Sequence, residues 1–389
     1  MPQDMTVTGD MRTRQRRRPR ALNRPFATSI AIWLLVLCTG CETAAFRAAK
    51  PAGARAERVL VVVNRQSNAS ETVGRYYMAR RGIAESHLLY VDVPVGDELG
   101  ELDFRTKLVA PVRARIDSLP VRIDFIVLTT GIPIRLGGKR GNSVDAHLAG
   151  MNLPIPPMVG LDSVWLNRYR NPYYGARVPF SSERFGMYLV TRLDCGQLRD
   201  CLALVDRSLT ARPVAGPFFF DAMPRTSGDD GWATMNRLLS AAAFRMRFAS
   251  FNVQLDTTAG FVAPAGPVMG YASWGSNDAK YDSVAYHAVR FLPGALAETF
   301  VSTSARTFGP VTGGQSRIVD LIAQGVTGVK GYVSEPYTVA LANVDILFNR
   351  YVQGFTLAES FYAASRMVLW KDIVIGDPLC APYAWSNTR

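Results

Sequence analysis

The strongest constraint on this chain is a series of unbroken apolar runs, residues 58–64 (RVLVVVN), 123–129 (IDFIVLT) and 187–193 (MYLVTRL), each separated from the next by helical signals. Runs rich in β-branched residues, without polar alternation, belong to strands covered on both faces. Between the first two runs, Ser67, Asn68 and Ser70 offer N-caps for a helix that reaches Arg81, where Gly82 stops it. A strand over 88–93 and a helix over 101–118 follow. Strand–helix alternation of this kind predicts right-handed crossovers and an α/β fold with a mostly parallel sheet flanked by helices. The alternation resumes with a helix over 196–210, a strand over 217–221, a helix over 231–248 and a strand over 251–255. Residues 267–336 then read as strand, strand, helix and strand. Helices over 343–353 and 357–367 and a last strand over 372–375 complete the chain.

Two stretches depart from this rhythm. Residues 133–185 hold a glycine-rich loop, a short capped helix over 143–148 and a segment rich in Pro, Tyr and Asn. A connection this long inside a compact domain is a functional elaboration or a lid. Its aromatics Trp165, Tyr169, Tyr173 and Tyr174 either wall a pocket or pack the loop down. The other departure is residues 1–41, where seven arginines precede an uncharged run over 25–37 and then Cys38-Thr39-Gly40-Cys41. A basic region, a short apolar region and small residues form an export signal, too short to span a bilayer comfortably. Residues 42–56 read as a flexible tether, 57–195 as an N-terminal α/β subdomain carrying the long loop, and 196–385 as a second, adjoining α/β subdomain.

The net charge is +12, but seven arginines against Asp4 and Asp10 in residues 1–41 supply five of those charges. The remaining 37 basic and 30 acidic residues form no Lys/Arg cluster interleaved with aromatics, so no nucleic-acid footprint is present. With three histidines and no CxxC pair that has a matching His partner, a zinc site is not expected. In an exported protein Cys195 and Cys201 form a disulfide or remain two buried thiols, and Cys380 stands apart.

In an open parallel sheet, ligands collect beyond the carboxyl ends of strands. That places the candidate site at Trp274, Ser276, Asn277 and Asp278, at Ser302, Ser304 and Arg306, and at Glu335. Asn64, Asp194, Asp221 and Asp377 also fall at strand ends. Asp278 and Glu335 are the carboxylates suited to general acid/base work, and Ser304 the hydroxyl suited to nucleophilic attack if a base adjoins it. The same oxygens suit a hard cation such as Ca2+, although no cofactor is evident from any motif. Helix caps and turns account equally well for Asp, Asn and Ser at such positions.

Segments spread over 57–385, among them YYMARRGI, IVLTTGIPIRL, YLVTRLD, GYASWGSND, PGALAETFVST, GVTGVKGYVSEPY and IVIGDPLCAPY, resemble a family of conserved bacterial exported proteins with no assigned activity. The ending VLCTGC resembles a bacterial lipobox, which implies lipidation at Cys41 and, with Glu42 after it, an outer-membrane or cell-envelope destination. A more distant resemblance is to gingipain-type cysteine peptidases, implying a caspase-like arrangement. The catalytic His-Gly of those enzymes would fall on Trp274-Gly275, and their nucleophilic Cys near Ser304. An indole nitrogen only donates and cannot act as the base, so the resemblance implies a fold without the peptidase dyad. The expected function is an exported, lipid-anchored binding or scaffold module holding a peptide, glycan or protein at the 274–278 edge. The alternative is a divergent hydrolase using Ser304 or the Asp278/Glu335 pair, and the third option is a purely structural role.

Overall fold

The computed structural model describes residues 53–138, 141–154, 169–224 and 230–384. The export signal, Cys41, Lys139, Arg140 and Trp165 lie outside the described residues. The strands are β1 (Val59–Asn64), β2 (Leu88–Val91), β3 (Phe125–Thr129), β4 (Leu189–Leu193), β5 (Phe218–Asp221), β6 (Val253–Asp256), β7 (Val268–Ser273), β8 (Phe291–Thr299), β9 (Gly328–Tyr332) and β10 (Asp372–Ile375). They form one ten-stranded sheet in the order β2-β1-β3-β4-β10-β9-β8-β7-β5-β6. The flanking helices used below are α1 (Asn68–Arg81), α2 (Ala110–Ser118), α3 (Val144–Ala149), α4 (Leu198–Thr210), α5 (Gly231–Phe248), α6 (Ile318–Ala323), α7 (Val344–Val352) and α8 (Leu357–Ala364). The α/β class therefore follows from the strand–helix alternation, and β1, β3, β4, β7 and β9 are buried along their whole length.

Local chemistry sets the helix ends. Ser67 caps α1 by accepting from Ser70 N, and Gly82 closes it in the left-handed region at φ 66. Thr356 and Glu359 form a capping box on α8. The expected helix over 101–118 is real but not uniform. Residues Glu101–Asp103 start it, Phe104–Val109 widen into a π-turn, and α2 continues. The cause is Pro111, whose ring blocks the carbonyl four residues back and which has no N–H to give.

One pairing reorganises the whole sheet. All neighbours run parallel except β9 and β10, which are antiparallel. The strands on either side of that seam therefore point in opposite directions, and their carboxyl ends lie at opposite edges. This corrects the expectation of a single carboxyl edge: Asn64, Asp194 and Asp377 sit at one edge, Asp221, Asp278 and Ser302 at the other. The 195/196 boundary expected between subdomains falls inside a disulfide-closed turn, since Cys195 and Cys201 are bonded. The two expected halves share this one sheet. The expected tether is also shorter than 42–56. Gly53–Ala56 is a helical turn, Ala56 is buried, and Arg55 donates to Glu359 at 3.0 Å. Among the described residues no helix is long and apolar enough to cross a membrane.

Candidate functional site

At the edge formed by β5, β7 and β8, most side chains singled out from sequence are committed to holding loops. Trp274 is buried, donates its indole N–H to Asn236 Oδ1 at 2.8 Å and stacks on Trp232 at 4.4 Å. Asn277 donates to Phe300 O and accepts from Gln315. Ser276 exchanges hydrogen bonds with Ser316. Arg306 donates to the carbonyls of Thr303, Gln315 and Gly313, closing the loop after β8. Ser302 is half-buried in the same turn. These residues form a folded corner, and the indole of Trp274 offers no open groove.

The catalytic candidates are not brought together. Ser304 is fully buried and its hydroxyl accepts from Tyr332 N at 3.3 Å. Among the described residues no histidine is hydrogen-bonded to it: His87 meets Val59 O, His147 meets Asn142, and His287 meets Ser283 O. Glu335 is exposed and accepts from Tyr337 N within its own turn, whereas Asp278 is buried and caps Lys280 N. The charge of Asp278 falls instead on Asp221, at the end of β5. Asp221 is buried, its Oδ2 has no partner, and its Cα partner on β6 is Asp256. Burial first, then the charges of Asp278 and Asp256, push its carboxyl up to about 7. Among the described residues no group of three or more His, Cys, Asp or Glu is arranged to hold a metal ion.

The opposite edge is occupied by buried ionic hubs. Arg192 on β4 is fully buried, held by Asp145 and Asp194 and by the carbonyls of Ile132 and Pro133. Removing one partner of such a pair leaves an uncompensated buried charge at a cost of about 3–5 kcal/mol, so Arg192 is an anchor for the loop after β3. Asp377 accepts from Tyr77 at 2.8 Å and Ser208 at 2.7 Å and pairs with Arg81, tying the end of β10 to α1 and α4. At the seam, Lys330 on β9 contacts Asp372 at 3.2 Å and Ser365 at 2.8 Å. Next to it Glu298 accepts from Tyr332, and burial pushes its carboxyl up to about 7. A lone charge inside an apolar strand was the available signal for Glu298 and Lys330, and the motif reading passed over it.

An open volume lies elsewhere, between the π-turn and the loop that leads into α3. It is a cavity of about 830 Å3. Phe104, Val109, Leu136, Met151 and Leu369 give it apolar walls, and Glu101, Arg105, Arg113, Asn142 and His147 give it polar ones, with Arg105 paired to Glu101 and Arg113 donating to Met151 O. Asn142 is buried, donates its amide to His147 Nε2 at 2.9 Å and leaves Oδ1 without a partner. An unpaired buried acceptor costs about 1–3 kcal/mol until something donates to it. The edge of the His147 ring meets Phe104 at 6.3 Å between centroids. Leu369 holds φ 60, a left-handed conformation that strains a non-glycine residue and recurs at ligand sites. The sequence signals for this site were the 137–141 glycine loop and the His147 helix. Of the long loop's aromatics, Tyr169 packs on Trp370 at 5.4 Å, and Tyr173 on Phe180 and Phe185 at 5.1 and 4.8 Å. Those two pack the loop down.

No family model and no curated protein matches this sequence. The chain is similar to a solved structure of a protease, at 13% identity and a TM-score of 0.46, over 85% of this chain and 79% of that one. A likeness at this level carries no chemistry across, so the reading of the site rests on its own side chains.

Proposed function

We propose that this chain is an exported, lipid-anchored protein of the cell envelope, acylated at Cys41, whose gingipain-like body binds a partner rather than cutting it. The ligand is a peptide segment held in the cavity between the π-turn and α3. The observation that carries this reading is the unpartnered Oδ1 of Asn142, a buried acceptor in the wall of an 830 Å3 cavity. A backbone N–H of a peptide supplies the missing donor, and an apolar side chain fits against Phe104, Leu136 and Met151. Pockets of roughly 300–1,000 Å3 with mostly apolar walls and a few convergent polar groups suit ligands of this size. The Cys195–Cys201 disulfide is consistent with an oxidising compartment. Ser304 is buried and its hydroxyl accepts from Tyr332 N, with no histidine hydrogen-bonded to it among the described residues, which gives the Ser304 hydrolase no support.

One observation favours a second reading. Asp221, with a carboxyl that titrates near neutrality and an oxygen without a partner, has the character of a general acid/base. The test is therefore common to both. A form starting at Glu42 is profiled by thermal shift and by turnover against peptide, ester and glycoside pools, beside Asn142→Leu and Asp221→Asn. Binding predicts a peptide-dependent rise in Tm that Asn142→Leu abolishes and Asp221→Asn leaves intact. Turnover lost only in Asp221→Asn overturns it in favour of a hydrolase.

A further inference from the structure

Helix α5 has one face that nothing in the described fold covers. Ala233, Met235, Asn236, Leu239, Ala242, Ala243 and Met246 are buried against the sheet and α7. On the opposite side, Phe244 and Phe248 are 73% and 87% exposed, one helical turn apart. Single exposed apolar residues need no explanation, but two phenylalanines spaced at i and i+4 on a solvent face form a patch. The helix has no acidic residue between Gly231 and Phe248, and it carries Arg237, Arg245 and Arg247. Arg245 is paired to Asp345 at 2.9 Å, and Arg247 donates to Val253 O at 2.9 Å, which also blunts the edge strand β6. Arg245 is thus charge-matched and Arg237 donates to Thr234 Oγ1, while Arg247, one residue before Phe248, has no acidic partner among the described residues.

We propose that this face of α5 docks on an anionic bilayer surface. Aromatic rings lodge at the boundary between headgroups and acyl chains, and flanking arginines pair with anionic headgroups, which is the chemistry of helices that lie in the interface plane. A second copy of this chain is the poorer occupant, because a two-fold pairing of the face sets arginine against arginine. Within the proposed lipid-anchored protein the surface is always near. The segment from Cys41 to Gly53 spans at most about 40 Å, so the anchor keeps α5 at high effective concentration against the membrane. Lipidation and docking are then the two signals that stable anchoring takes.

The test removes the acyl chain. The core runs from Ala56 to Tyr383, so a form starting at Glu42 keeps all of it. This form is floated with vesicles of phosphatidylethanolamine and phosphatidylglycerol, and with phosphatidylcholine alone. Docking predicts flotation with the anionic vesicles only, lost at 0.5–1 M salt on the order of the screening expected of exposed charges. Phe244→Ser/Phe248→Ser weakens it roughly tenfold, and Arg247→Gln weakens it less. Both phenylalanines are exposed, so melting of the double variant stays at the parental value and separates docking from folding. Absence of flotation with any vesicle overturns the proposal, as does flotation indifferent to the double variant, or a dimer in sedimentation that the double variant dissolves. Acylation is read separately, by release of the full chain from membranes on Cys41→Ser. Failure there leaves the vesicle result standing.

Discussion

Asp221 shows how a single carboxyl makes stability depend on pH. Its folded-state value of about 7 stands above the ordinary aspartate value of 3.8. Below the ordinary value both folded and unfolded chains hold the proton, and the site costs nothing. As pH rises between the two values the unfolded chain releases its proton while the fold retains it, so stability is lost over that window and stays lost above it. Asp221→Asn keeps the shape and removes the charge. We expect the variant to match the parent near pH 3.5 and to exceed it at pH 8 by on the order of 3 kcal/mol, read from urea midpoints across pH. A residual decline with rising pH remains in the variant, because Glu298 is pushed in the same direction. A variant less stable than the parent at pH 8 would mean that the charged form of Asp221 is stabilised by the fold. That Asp221 lies at a strand end was legible in PFFFD. Its pairing with Asp256 on β6 was not, because neighbouring strands are set by topology and leave no local signal.

At the scale of elements, packing between layers rests on positions too small to announce themselves. Gly270 on β7 lies where a Cβ would come within 2.3 Å of a Phe218 ring carbon and 2.6 Å of one on Phe348. Phe218, Phe220 and Phe348 fill this part of the core, with Phe220 and Phe348 rings 4.9 Å apart. The glycine is what lets α7 settle on the sheet. Gly270→Ala should lower stability by about 1–3 kcal/mol, as overpacking does, without changing the register of β7 against β5 and β8. Calorimetry together with amide exchange in β7 checks both parts. The element boundaries themselves were readable: α5 and β10 begin and end where the caps and apolar runs place them. The π-turn before Pro111 was not read, although proline inside a helical pattern was its signal. The cavity it lines was unreadable for a further reason, since its other wall comes from residues such as Leu136, Asn142, His147, Met151 and Leu369, distant in sequence.

For the molecule as a whole, the decisive element is the last strand of the described residues. β10 inserts between β4 and β9, parallel to the first and antiparallel to the second, so four residues near the C-terminus join two sets of strands that run in opposite senses. Asp377, immediately after it, gathers Tyr77 and Arg81 from α1 and Ser208 from α4. The alternation of strands and helices implied a mostly parallel sheet and did not say where an antiparallel pair would fall. Nothing in residues 372–375 marks the reversal, because a buried strand reads alike in either direction. Non-local pairing of this kind withholds its stabilisation until the loops it closes have been ordered. Asp377→Asn keeps the size of the side chain but leaves Arg81, largely buried, without its counter-charge. We expect a loss of about 3–5 kcal/mol that appears as faster amide exchange in β10 and the C-terminal part of α1 before it appears in β7. Equal acceleration across both sets of strands would mean that the sheet opens as one cooperative unit, and that the Asp377 hub adds to its stability without specifically latching the seam.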